Sequence, residues 1–78
     1  MGANIIDKQI GFFLRKARKE NDLTGKELGK LLGISQQQIS RYEMGITSIT
    51  LQRLDDFLNI LDRQWIDIYI YMQKQHKN

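Results

Sequence analysis

Apolar residues recur along this chain at steps of three and four, the spacing that gathers side chains on one face of an α-helix. Ile6, Ile10, Phe13, Leu14 and Ala17 form the first such stripe, with Lys8, Arg15, Lys16 and Lys19 mostly off it, and predict a helix over about residues 5–21. Asn21 and Asp22 end it, because short polar side chains compete for backbone hydrogen bonds. Thr24 and Glu27 have the capping-box spacing, in which each side chain satisfies the other residue's amide, so a second helix begins there. Its stripe is Leu28, Leu31 and Leu32, and Gly33 follows where a left-handed residue stops a helix without a Cβ clash. Ser35 is the next N-cap. The helix it opens, Gln36 to Glu43, has apolar positions only at Ile39 and Tyr42, and is therefore mostly exposed before Gly45 closes it. Beyond the loop Ile46 to Ile49, Thr50 caps a fourth helix over about 51–61, built on Leu51, Leu54, Phe57, Leu58 and Leu61.

The last apolar segment, about 64–73, fits two templates. Ile66, Ile68, Ile70 and Met72 alternate with Asp67, Tyr69 and Tyr71 as in a strand, whereas Trp65, Ile68, Tyr69 and Met72 fit one helical face. Either way the stretch is too apolar to stay exposed, and is expected both to close the core and to pair with a second subunit. As a helix it would bring Trp65, Ile66, Tyr69 and Ile70 against their symmetry mates. As a strand, residues 66–72 would form a two-stranded ribbon across the dyad, with Ile68 and Met72 in the same seam. The polar tail Gln73 to Asn78 is expected to fray.

Composition narrows the chemistry. Seventy-eight residues make one domain spanning 1–78, because chains of this size bury only about 60% of their unfolded surface. There is no cysteine, so disulfides, thiolate zinc sites and thiol nucleophiles are excluded, and the lone His76 has no ligand partner beyond Met72. No cofactor or metal is implied. Adjacent Asp55 and Asp56 point about 100° apart on a helix, and Ser35 and Ser40 lack a histidine partner, so no catalysis is expected. No run reaches the roughly 18 apolar residues needed to span a bilayer, and Met1 to Ile10 does not read as a signal peptide. The expectation is a cytoplasmic protein with no membrane partner. The net charge of +3 is uneven: residues 1–41 hold eight Lys/Arg against four Asp/Glu, residues 42–78 four against five. That is the footprint of an anionic partner on the first half, although Lys16, Lys19, Lys26 and Lys30 serve solubility as readily as phosphate contact. A small domain without a covalent staple commonly completes its stability by oligomerising.

A short helix, a tight glycine turn and an exposed polar helix are the arrangement of a helix-turn-helix, whose second helix enters the DNA major groove. Gly29 is small where the two helices approach, Gly33 makes the turn, and Leu28, Leu32, Ile34 and Ile39 wedge the pair. Surface helices usually carry Lys and Glu; this one carries three adjacent glutamines and Arg41, donors suited to base edges and phosphates.

The stretch Leu23 to Glu43, LTGKELGKLLGISQQQISRYE, strongly resembles the Cro/cI-like (XRE) family of bacterial and phage regulators, and the likeness extends over roughly residues 6–68. More narrowly, Ser35 to Glu43 looks like the recognition helix of regulators encoded with enterobacterial fimbrial operons. The resemblance implies an all-α, compact, four- to five-helix lambda-repressor-like DNA-binding domain with its helix-turn-helix at about 24–43, and favours helix over strand for the C-terminal segment. It implies a sequence-specific regulator binding a pseudo-palindromic operator on double-stranded DNA as a homodimer, and hence association with the nucleoid.

By the same resemblance Gln36, Gln37 and Arg41 read bases; glutamine bonds adenine bidentately and arginine guanine, each worth roughly 1–3 kcal/mol of discrimination. Thr24, Gly25, Ser35, Gln38, Ser40 and Arg18 fall at phosphate or neighbour contacts, and Arg18 and Glu43 at a structural ion pair. Two positions depart from the family. Gly25 stands where the family usually has glutamine, leaving only a helix N-terminal amide, and the loop 46–49 lacks the usual lysines and proline. Fewer phosphate contacts and a shallow salt dependence follow. Two rivals remain: an antitoxin that represses its own operon while its other surface neutralises a co-encoded toxin, so that a toxin or another regulator is a possible protein partner, and a protein-binding adaptor that keeps the fold without using it on DNA.

Overall fold

Five helices make up the computed structural model, which describes residues 4–75: α1 Ile5–Glu20, α2 Gly25–Leu32, α3 Gln36–Glu43, α4 Leu51–Leu61 and α5 Trp65–Gln75. There is no strand among the described residues. Side chains set most of the boundaries. Asn4 and Asp7 form a capping box at the start of α1, as Thr24 and Glu27 do for α2, and the Ser35 and Thr50 hydroxyls accept from the Gln38 and Arg53 amides. Helix α4 stops on Asp62, whose φ of 57° is left-handed, a conformation that aspartate tolerates better than most side chains.

Phe13, Leu14 and Ala17 of α1, Leu28 of α2, Ile39 of α3, four residues of α4 and Ile68 of α5 enclose one core. Asn21 ties its far end: the carboxamide nitrogen donates to the carbonyls of Ala17 (2.8 Å) and Leu61 (2.9 Å), joining the ends of α1 and α4. Arg63 bonds Glu20 at 2.9 Å across the same corner.

Three residues of the apolar stripes face solvent. Leu31 is exposed because burial of Gly29 beside Leu28 and Leu32 turns the inward face of α2 away from it. Ile6 and Leu51 lie in the first turns of their helices, beyond the core's edge.

The C-terminal segment is a helix, so the strand and its ribbon are set aside. A helix satisfies its own backbone and turns Ile68, Tyr71 and Met72 onto the core, whereas an isolated strand would leave a ladder unpaired. The Asp67 carboxylate secures its start by accepting from the Gln64 amide at 2.8 Å, and the Tyr71 ring packs 5.6 Å from Phe13. Of the tail expected to fray, Gln73 to Gln75 continue α5, and residues 76–78, His76 among them, lie outside the described residues.

Candidate nucleic-acid interface

Helix α3 is held at both ends and against its inner side. At its start, the Ile34 amide bonds the Gly29 carbonyl at 2.9 Å through a turn centred on Gly33, at φ 73°. A Cβ on Gly29 would fall 2.7 Å from the Ile34 carbonyl oxygen, so the turn closes only over glycine. Along its inner side, Leu28 and Ile39 are fully buried, with Leu32 and Ile34 half-buried beside them. At its end, Gly11 of α1 lies against the carbonyls of Tyr42 and Glu43, where any side chain would collide.

The same end carries a bidentate ion pair. Arg18 Nε donates to Glu43 Oε2 at 2.7 Å and a terminal nitrogen to Oε1 at 3.0 Å, while the other nitrogen donates to the Leu23 carbonyl at 2.9 Å. The side chains are only 13% and 5% exposed, so this is an interior pair that joins α1, the α1–α2 turn and α3. Hydrogen bonding to Glu43 raises the guanidinium pKa above its ordinary value, outweighing the opposing effect of burial. Three of the five guanidinium N–H groups are engaged, leaving two without a partner among the described residues.

What α3 leaves outward is polar. Gln36, Gln37, Ser40 and Arg41 are exposed, and Gln38 is half-buried. The Ser35 and Thr24 hydroxyls accept from backbone amides of their own helices, leaving their hydroxyl protons to donate. Gly25 begins α2 next to α3. A Cβ there would make ordinary contacts at 3.6 Å from Gln36 Cγ and 3.9 Å from Ile39 Cγ2, so crowding does not explain the glycine.

Gly25, Arg18, Gln36 and Ser40 line one cleft, together with Arg15 and Met44. Sequence reasoning missed these last two. The signal was present in helical spacing, since Arg15 stands one turn before Arg18 and Met44 one turn after Ser40, whose hydroxyl lies 3.5 Å from the Met44 sulfur.

The proposed dimer residues divide. Trp65, Ile66, Tyr69 and Ile70 share one exposed face of α5, 45–59% accessible, and the Trp65 indole nitrogen donates to Asp55 at 3.0 Å. Ile68, at 7%, is in the core and Met72 packs against it, so these two belong to the protomer interior rather than to a seam. No group of three metal-ligating side chains occurs among the described residues, and no helix there is long and apolar enough to cross a membrane.

A helix-turn-helix family profile matches residues 14–67. The chain belongs to the XRE-type helix-turn-helix family. Within it, the chain is 34% identical over 59 residues to the antitoxin PezA of Streptococcus pneumoniae, a match covering 76% of this chain and 37% of that protein. It is 36% identical over 59 residues to an uncharacterised HTH-type transcriptional regulator of Sinorhizobium medicae, covering 76% and 42%. The helix-turn-helix chain thus spans about two fifths of the length of these curated relatives. In fold it is similar to the clp gene regulator ClgR of Corynebacterium glutamicum, with a TM-score of 0.85 at 20% identity over 95% of this chain and 96% of that one. It is also similar to the restriction-modification controller protein C.Esp1396I, solved as a tetramer on its natural 35 base-pair operator, with a TM-score of 0.81 at 17% identity over 95% and 99%.

Proposed function

We propose that this chain is a sequence-specific DNA-binding transcriptional regulator that acts as a homodimer on a pseudo-palindromic operator, with α3 in the major groove. The observation that carries the reading is a helix fixed at both ends whose outward positions are glutamines and an arginine. Gln36 and Gln37 read adenine edges and Arg41 a guanine or a flanking phosphate. Thr24, the Gly25 amide, Ser35, Gln38, Ser40 and the free N–H groups of Arg18 contact phosphates and fix the register. Trp65, Ile66, Tyr69 and Ile70 meet their symmetry mates, which spaces two recognition helices about 34 Å apart, one turn of DNA. The DNA-bound controller protein of the same fold supports this reading. The narrower likeness of Ser35 to Glu43 to fimbrial-operon regulators supplies the first target genes to search with the recovered motif.

Selection of bound sequences from random duplex DNA tests the reading, run in parallel on the wild type and on a Gln36→Ala, Gln37→Ala, Arg41→Ala variant. A palindromic motif present in the wild type and absent in the variant is expected. No enriched motif in the wild type would overturn it and leave a protein-binding adaptor.

A second reading, in which the DNA-binding chain also serves a toxin–antitoxin pair, is favoured by its 34% identity to PezA. Co-purification with the product of a neighbouring gene, and relief of that product's toxicity, would separate the two.

A further inference from the structure

The solvent face of α1 carries charge and apolar surface that neither the core nor the recognition cleft uses fully. Arg18 is held by Glu43, and Glu20 is taken by Arg63, whereas Arg15, Lys16 and Lys19 form no ion pair among the described residues. These three cations surround Phe12, which is 64% exposed although its neighbours Phe13 and Leu14 are buried. Phe12, Arg15, Lys16 and Lys19 stand at i, i+3, i+4 and i+7, and together line one shallow depression, mostly apolar, with the charges at its rim.

This depression lies between the cleft described above and a groove that runs between α1 and α5. Arg15 also lines the cleft that holds Gly25, Gln36 and Ser40, and Lys16 lines the groove between α1 and α5 beside Ile70 and Tyr71. Two occupants are poorly matched to it. A phosphate backbone complements the cations but offers a phenyl ring only the narrow C–H edges of its sugars, with no large apolar group to fill the depression. A second copy offers Trp65, Ile66, Tyr69 and Ile70 from its exposed α5 face, apolar anchors whose neighbouring carboxylates are already engaged, Asp55 by the Trp65 indole and Asp67 by the Gln64 amide, against three unpaired cations. A polypeptide segment that is acidic and carries one large apolar side chain satisfies both requirements.

We propose that the Phe12 face of α1 docks an acidic segment of a partner protein, with an aromatic or leucine anchor on Phe12 and carboxylates on Arg15, Lys16 and Lys19. Because Arg15 is shared, the docked segment brings negative charge to the edge of the recognition cleft and competes with duplex DNA. That competition rests on the DNA-binding reading; the docking does not.

The test selects linear peptides displayed on phage against the full chain, then titrates the resynthesised winners against wild type and variants, with helicity checked by circular dichroism. Acidic peptides with a single aromatic or leucine are expected to win. Their affinity should fall about tenfold or more in Phe12→Ala and in Lys16→Glu, Lys19→Glu, as for loss of a central anchor, and survive in Phe12→Leu. Winners without that composition, or acidic winners that bind all variants equally, would overturn the proposal. So would a Phe12→Ala variant that weakens random duplex DNA to the same extent, assigning the face to DNA, or one that changes the sedimentation of the free protein, assigning it to a second copy. A peptide that passes these titrations while the DNA selection yields no motif leaves the docking standing and removes the competition.

Discussion

Gln36, Gln37, Ser40 and Arg41 on α3, and Trp65, Ile66, Tyr69 and Ile70 on α5, are two small faces left to solvent by a single core. They differ in how they are held. Helix α3 is clamped by the glycine turn, by Ile39 and by the Arg18–Glu43 pair, so its outward side chains are displayed from a fixed rod. Helix α5 rests on the core through Ile68, Tyr71 and Met72, and is set at its start by Asp67. A polar face on a rigid mount gains little from being covered by just any surface, and gains much from a partner whose donors and acceptors match. An apolar face gains from burial as such, which the second copy proposed for it would provide. The one is suited to specificity and the other to avidity.

The largest expected effect breaks the second face. Ile66→Glu with Ile70→Glu should give a folded monomer by sedimentation and lower operator affinity by about 10²–10⁴-fold, the usual gain from linking two binding events. Next comes the mount of the first face. Arg18→Ala strands a buried Glu43 carboxylate and should cost about 3–5 kcal/mol in urea unfolding, with the Arg18→Ala, Glu43→Ala pair costing less than the two single changes together.

Smaller effects sharpen the contrast. Gln37→Ala should leave the unfolding midpoint unchanged and cost roughly 1–3 kcal/mol of discrimination at one base per half-site, read by binding to single-base operator variants. The smallest is a pH effect where α5 meets α1. Burial pushes the Tyr71 phenol above its ordinary value of 10.0, so above that pH the unfolded chain loses the proton before the folded one does. Stability carried by Tyr71 is therefore full below pH 10 and lost as pH rises through the folded value. Thermal unfolding should show a steeper alkaline decline in the wild type than in Tyr71→Phe.

Most of the scaffold is legible in the chain because its signals are local. Thr24 with Glu27, Ser35, Thr50 and Gly33 each set a helix boundary through contacts within a few residues, and each boundary lies where spacing places it. What could not be read locally depends on rotation and reach. The exposure of Leu31 follows from the burial of Gly29, and the membership of Ile68 in the core rather than the α5 face depends on how α5 lies on α1. The C-terminal segment matched two periods because its alternation is that of a strand, and only the tertiary demand to seat Ile68 and Tyr71 together decides for helix. In the candidate interface, the outward glutamines were readable from their lack of apolar neighbours, whereas Arg15 and Met44 join the cleft only once α1, α2 and α3 are assembled.

The clamp on α3 also separates two kinds of inheritance. Ser35, Ile39, Tyr42 and Glu43 carry the folding duties of that helix, while positions 36, 37, 40 and 41 carry none that the interior can detect. Mutations at those four sites are nearly free of structural penalty, so under the base-reading role proposed for them a lineage built on this framework would drift from one operator to another through a sequence of intact, stable intermediates.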